Sequence, residues 1–145
     1  MRIGIVGSGK IGATAARLFV GAGHEVAVSN SRGPDSLGDL TAELGDGARA
    51  ATVEDAARFG ELVLVAIPAK ADTELPADAF EGDVVIDAMN YYPQRDGQIS
   101  ELDRGEATDV GRPVSLRANL QAREQPGWLG YSAVFWPGWV ERRRG

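Results

Sequence analysis

The sequence predicts an α/β fold with a doubly wound, mostly parallel sheet. Short, almost continuous apolar runs indicate strands that are buried on both faces. These runs alternate with segments of helical period, as in a sheet covered by crossover helices. The glycine-rich stretch GSGKIG, at 7–12, joins the first apolar run to the first helical segment. A chain of 145 residues is of single-domain size, so one such sheet accounts for the pattern.

The first predicted unit is a strand, a helix and a second strand. The strand is Arg2–Val6, a short apolar run that ends at a glycine. Over 10–22, apolar residues recur every three or four positions, which is the stripe of a helix packed on one side. Gly21 and Gly23 end this helix, and EVAVSN at 25–30 is the second strand.

The later elements follow in order but with weaker patterns. Pro34 opens a predicted helix over 35–44, and a short strand follows at 48–52. Thr52 caps the next helix with Asp55, in a variant of the capping box. A strand at 61–67 that ends at Pro68, a helix or turn at 69–80 and a strand at 83–89 complete the series. After about residue 90 the pattern fades, and only 132–136 suggests a further strand. We therefore expect a domain at 1–108 and an irregular C-terminal tail at 109–145.

Charge is distributed unevenly along the chain. The net charge is −6, with nine basic and 19 acidic residues over 1–109, but six Arg and two Glu over 110–145, where all three Trp also lie. The first part is too acidic for non-specific nucleic-acid binding, and the tail lacks a repeated pattern, so we expect no nucleic-acid partner. We find no apolar run near 18 residues and no secretory signal, and therefore expect no membrane partner and a cytoplasmic location.

The glycine stretch has the pattern G-x-G-x-x-G and lies between a predicted strand and helix, the context of a dinucleotide-binding Rossmann-like domain. Gly7 makes the turn, Gly9 lets the backbone approach a pyrophosphate, and Gly12 lets the helix pack on the strand. The helix N-terminus then faces the phosphates. The alternatives are a glycine-rich turn without a ligand and, for the lysine, an exposed helix start. The predicted loop contacts are Gly7, Ser8, Gly9, Lys10, Ile11 and Gly12.

The end of the second strand favours NADP(H) over NAD(H). An NAD site usually has a carboxylate there for the ribose hydroxyls, but this chain has Asn30, Ser31 and Arg32, and no carboxylate before Asp35. The serine hydroxyl can donate to a 2′-phosphate and the guanidinium can pair with its charge. The alternative for the arginine is a solvated loop charge.

Ligands of open α/β sheets bind at the carboxyl ends of the strands, which adds two candidate groups. Ala66, Ile67 and Pro68 end the fourth strand, and Met89 and Asn90 end the fifth. The alternatives are a strand stopped by proline and a turn-forming asparagine. His24, the single histidine, is assigned a structural role. We see no catalytic triad and no metal-ligand cluster, and there are no cysteines, so no catalytic residue and no metal site are predicted.

With GSGKIG, NSRGP, LVAIP and DAMN, the chain resembles the coenzyme F420-dependent NADP oxidoreductase family over about residues 1–105. The resemblance implies that NADP(H) is held by 7–12, Ser31, Arg32, the 67–68 region and Asn90. It also implies hydride transfer between NADPH and F420 as the small-molecule acceptor. That reaction stacks two rings and needs little side-chain acid–base help.

The resemblance stops before the tail, because 109–145 does not look like the family segment that completes the F420 pocket and usually the dimer. The tail would fit a truncated or frame-shifted gene and is expected to pack loosely. The first functional hypothesis is therefore a reductase of F420 or a flavin-like acceptor. The second is a catalytically silent NADP(H)-binding module or sensor, and the third an imine or ketone reductase that uses a partner subunit. Apolar residues left uncovered favour a homodimer.

Overall fold

The computed structural model describes residues 1–80, 84–89, 92–98 and 104, and its centre is a five-stranded, fully parallel sheet. The strand order is β3-β2-β1-β4-β5, with β1 in the middle. The strands are β1 (Arg2–Val6), β2 (Glu25–Ser29), β3 (Ala48–Ala50), β4 (Leu62–Val65) and β5 (Val84–Asp87). The chain reverses its direction of winding after β3, so the predicted α/β, doubly wound, Rossmann-like sheet is confirmed.

Helices cover both faces of this sheet. They are α1 (Lys10–Gly21), α2 (Gly38–Leu44), α3 (Val53–Phe59) and the single turn α4 (Pro93–Asp96). On one face Ala16 of α1 packs in a buried cluster with Ile3, Ile5 and Val26, and on the other Ala57 of α3 packs with Val63 and other buried residues. Because alternate residues of each strand enter the two clusters, nearly every strand position is apolar.

The capped helix was predicted correctly. The Asp55 N–H donates to Thr52 Oγ1 at 3.0 Å, which satisfies one free donor of the first turn of α3. The Thr52 hydroxyl in turn donates to Asp55 Oδ2 at 2.7 Å. Asp55 therefore bonds to the Thr52 hydroxyl through both its N–H and its carboxylate, and this pair stabilises the first turn of α3.

Other boundaries differ from the sequence prediction. The helix expected over 35–44 begins as a 3-10 turn at Pro34–Leu37 and becomes α2 only at Gly38. By contrast, the 69–80 stretch, predicted as a helix or turn, has the predicted bounds: it forms two 3-10 turns, Ala69–Glu74 and Ala77–Phe80, separated by a proline that supplies no N–H. The helix α4 was not predicted, because a single turn shows no periodicity.

The predicted tail at 109–145, with its expected strand at 132–136, lies outside the described residues, so the domain division remains a prediction. Within the described ranges, none of the helices is long and apolar enough to cross a membrane.

Candidate functional site

The turn after β1 gathers the carboxyl ends of three strands. The Gly7 N–H donates to the Ser29 carbonyl at the end of β2, at 2.9 Å. A β-carbon on Gly7 would overlap the Ala66 carbonyl oxygen at the end of β4, and its φ of +110° is one that L side chains rarely adopt. Ser29 is fully buried and its hydroxyl donates to the Ile5 carbonyl at 3.0 Å. The turn is therefore fixed against both neighbouring strands.

The other two glycines of the motif have different surroundings. A β-carbon on Gly12 would overlap the Gly7 carbonyl oxygen, so a glycine is required for α1 to pack on the turn. A β-carbon on Gly9 would meet nothing within 4 Å, and this residue is exposed. Contacts within the described chain thus explain two glycines of the motif, and the third faces open space.

The N-terminus of α1 is open to an anion. Gly9 occupies the N-cap position without a side-chain hydrogen bond, and no acidic residue lies in the first turn. The free N–H groups of that turn and the positive end of the helix dipole therefore point towards the space in front of Gly9. Lys10 and Ile11 lie there on the exposed side, and Ser8 is partly buried.

Asn30 connects the glycine turn to the turn after β2. Its Nδ2 donates to Ser8 Oγ at 3.1 Å and to Ser36 Oγ at 2.9 Å, and its Oδ1 accepts from the Arg32 N–H at 2.9 Å. The Ser36 hydroxyl also donates to the Gly33 carbonyl at 2.8 Å. The asparagine amide therefore shapes both turns at once.

Ser31 and Arg32 project from this second turn. Both are exposed, and the Arg32 guanidinium forms no ion pair with any residue of the described part of the chain. The hydrogen bond to Asn30 Oδ1 positions the Arg32 backbone, while the exposed guanidinium can contact an anionic group.

A cavity of about 280 Å³ lies where β4 and β5 end, beside the N-terminus of α1. On one side it is lined by 9–11 and 66–68, which were predicted from sequence. On the other it is lined by Ala88, Tyr92 and Arg95, which were not. Apolar groups and the two cations Lys10 and Arg95 therefore border the same space.

The Arg95 side chain is held by its neighbours. Its Nε and Nη2 donate to the two oxygens of the Asp96 carboxylate at 2.9 and 2.7 Å. That contact raises the pKa of Arg95 and lowers the pKa of Asp96, to which the Tyr92 N–H also donates at 3.0 Å. The Arg95 guanidinium lies 5.1 Å from the centre of the Tyr92 ring. These contacts hold the Tyr92 and Arg95 side chains relative to one another within α4, and both side chains line the cavity.

Two other residues considered from the sequence, Met89 and His24, do not line this cavity. Met89 is 7% exposed and packs in the core with Val6 and Val65, so only its backbone can reach a ligand. Asn90 lies outside the described residues. His24 is partly buried, 6.4 Å from the Phe19 ring between centroids, on the helix-to-strand turn where a structural role was expected. Within the described ranges, no three His, Asp or Glu residues lie together as a metal site.

Sequence reasoning missed Ser36 and Arg95, and it did not distinguish Tyr92, which is near enough in the pattern to approach a ligand, from an ordinary loop residue. Pro93 at the first position of α4 and Gly97 directly after it, with φ of +77°, are a start and a stop signal that could have indicated the turn. The role of Ser36 depends on a contact with Asn30 six residues earlier, for which the sequence carries no periodic signal.

Comparison with known proteins agrees with this architecture. A family model described as "NADP oxidoreductase coenzyme F420-dependent" matches residues 2–91. No protein of curated function matches the chain significantly.

Several solved structures are similar in fold. A hypothetical protein from Sinorhizobium meliloti is 26% identical, with a TM-score of 0.66, and the match covers 80% of this chain and 56% of that one. A proposed F420-dependent NADP reductase from Arthrobacter sp. FB24 is 26% identical, with a TM-score of 0.56 and coverages of 62% and 45%. An imine reductase from Myxococcus stipitatus, in complex with NADP+, is 21% identical, with a TM-score of 0.51 and coverages of 65% and 34%, and shows the fold alone. The matches span about a third to just over half of these relatives.

Proposed function

Because the chain belongs to the family of coenzyme F420-dependent NADP oxidoreductases, we propose that it binds NADP(H) and transfers hydride between NADPH and F420 or a flavin-like acceptor. One observation carries the proposal most directly. The position that a β-carbon on Gly9 would occupy has no protein atom within 4 Å, and it lies in front of a helix N-terminus without a side-chain cap, which is the space that a pyrophosphate requires.

The described residues fit NADP(H) at both ends of the proposed site. In this proposal the pyrophosphate lies against 8–12, with Lys10 adding charge, and the 2′-phosphate lies against Ser31 and Arg32. The absence of an ion pair at Arg32 supports this, since nothing in the described chain competes for its charge. Ala66, Ile67, Pro68, the backbone of Met89 and the Asn90 amide are proposed to line the sugar and the nicotinamide.

Bound NADPH supplies the hydride. The chain's own contribution is to hold the two reactants in contact and to keep water away, since the transfer requires no side-chain base. The cavity beside Ile67 and Pro68 is proposed as the place where the nicotinamide meets the acceptor. Tyr92 and Arg95 then form the acceptor side, with the Asp96 pair keeping the guanidinium in position.

The cofactor assignment is tested by titrating the protein with NADPH and NADH. Replacing Arg32→Ala should weaken NADPH binding about tenfold and leave NADH binding nearly unchanged, because the lost interaction is a charge-assisted bond to the 2′-phosphate. Arg17→Ala is the matched control, since it removes the same charge from an exposed pair with Glu43. Equal loss for both cofactors would show that Arg32 does not read the 2′-phosphate.

The reaction is tested by following NADPH oxidation with F420, FMN and simple ketones as acceptors. Turnover with F420 or FMN supports the reductase. Tight NADPH binding without turnover would favour the silent binding module, and failure to bind either form of NADP(H) would refute both. Turnover with ketones alone would point to the third hypothesis.

A further inference from the structure

A second groove, of about 540 Å³, lies on the α3 face of the sheet beside the edge strand β3. Its lining shares no residue with the cavity next to the glycine turn. Three arginines and one aromatic ring dominate it, with one carboxylate and two small apolar residues completing the lining: Arg2, Arg49, Arg58, Phe59, Asp55, Ala50 and Ala51.

Strand register explains why the cations converge. Gly4, Ala27 and Arg49 are aligned across β1, β2 and β3, so their side-chain positions share the face that α3 covers. Arg2 precedes Gly4 by two residues and belongs to the same face. Because Gly4 and Ala27 are small, α3 packs close to the sheet at these positions. The two arginines extend beside Phe59, the last residue of α3.

The two strand arginines lie against the ring of Phe59. The Arg49 Cζ lies 3.9 Å from the centre of the Phe59 ring and the Arg2 Cζ lies 5.8 Å from it. Neither guanidinium forms an ion pair with a described residue. The nearest acidic influence on Arg2 is Glu61, which accepts its backbone N–H at 2.9 Å and whose pKa is lowered by that bond and by the arginine's charge.

The other charges of the groove are already engaged. Arg58 pairs with Glu54 at 3.0 Å, and the Asp55 carboxylate accepts the Thr52 hydroxyl. The lining holds three guanidiniums and one carboxylate, so the groove carries a net positive charge in a chain whose net charge is −6. Guanidinium groups match the geometry of phosphate oxygens, which they bind through two parallel hydrogen bonds.

We infer that this groove binds a phosphate-bearing ligand through Arg49 and Arg2, independently of the proposed NADP(H) site. Arg58 stands at the rim and the apolar floor accommodates the organic part of the ligand. The volume exceeds what a single phosphate group fills, so the groove has room for an organic group beside the phosphate.

The test is a calorimetric titration with inorganic pyrophosphate at constant ionic strength, with and without saturating NADP+. Arg49→Gln and Arg2→Gln should each weaken pyrophosphate binding about tenfold, since each removes a charge-assisted contact. Arg17→Gln, which removes the same charge from the α1 face, should leave it unchanged. Unfolding temperatures of all variants verify that each is folded.

Pyrophosphate binding that persists with NADP+ and is lost in the Arg49 and Arg2 variants supports the inference. Binding that NADP+ abolishes, or that neither substitution weakens, would assign the anion to the glycine turn and overturn it. No binding to the wild-type protein, or equal weakening by Arg17→Gln, would also overturn it.

Discussion

Two alanine substitutions in the glycine turn should separate folding from cofactor binding. In Gly12→Ala, the new β-carbon overlaps the Gly7 carbonyl oxygen and comes within 3.3 Å of Ile5 Cγ2. The overlap can be relieved only if the backbone of α1 or of the turn at Gly7 moves. We therefore expect it to cost about 3 kcal/mol, at the upper end of the range for overpacking. Alanine is about 1 kcal/mol more favourable than glycine within a helix, so the free energy of unfolding should fall by about 2 kcal/mol.

In Gly9→Ala, the new β-carbon meets no protein atom and the backbone is extended, with φ of −70° and ψ of −170°, so the free energy of unfolding should change by less than about 0.5 kcal/mol. The same methyl group would occupy the space proposed for the pyrophosphate. We expect NADPH to bind about tenfold or more weakly, because a charge-assisted backbone contact is lost.

The assay is thermal unfolding together with NADPH titration of both variants. Gly12→Ala should lower the unfolding temperature by about 8 °C, at about 4 °C per kcal/mol for a domain of this size. Gly9→Ala should leave it in place. Gly21→Ala, whose β-carbon is also free of contacts but lies at the far end of α1, is the control for binding: it should leave NADPH affinity unchanged and stabilise the protein by at most about 1 kcal/mol through helix propensity. Unimpaired NADPH binding by Gly9→Ala would refute the reasoning.

Three further outcomes follow from the described contacts. Ser36→Ala removes the hydroxyl that braces Asn30 and should weaken NADPH binding a few-fold in a fluorescence titration; a change equal to that of Arg32→Ala would contradict an indirect role. Thr52→Ala removes the cap of α3 and should cost about 1 kcal/mol in urea unfolding, and an unchanged midpoint would show that the cap is dispensable. The pKa of Asp96 is lowered in the folded protein by Arg95, so its stabilising contribution is present above the usual Asp value near 3.8 and lost as pH falls through the lower folded pKa. An NMR titration of the Arg95 Nε–H should therefore show release below about pH 4, whereas Asp96→Asn should show no such transition.

The sheet was predictable because its signals are local. The apolar runs at Arg2–Val6 and 61–67 and the glycine spacing carry the strand and turn information within a few residues, and the helix stripe over 10–22 spans three turns. Boundaries were less accurate where backbone geometry decides them, as at Pro34, where a 3-10 turn replaces the first turn of the predicted helix.

The site was predictable to the extent that its residues lie at strand ends. The acceptor side was not, because Arg95 lines the cavity from a four-residue helix, which is too short to show a helical period in the sequence. The groove at Arg49 was missed for a different reason. Its cations lie 47 residues apart in the chain and converge only through the β1-β2-β3 register.

The bonding of Asn30 has a consequence for how this chain could acquire a different coenzyme. An aspartate at this position would supply the ribose-binding carboxylate that the second strand lacks. The two partners of the present amide nitrogen are hydroxyls, which donate as readily as they accept, so Ser8 could reverse its hydrogen bond towards the new carboxylate, and Ser36 could direct its proton there instead of to the Gly33 carbonyl. The Arg32 N–H would keep its acceptor. On the proposed assignment, a change of preference from NADP(H) to NAD(H) is therefore accessible to evolution, or to an engineer, through one substitution that keeps a hydrogen bond from each turn to this position.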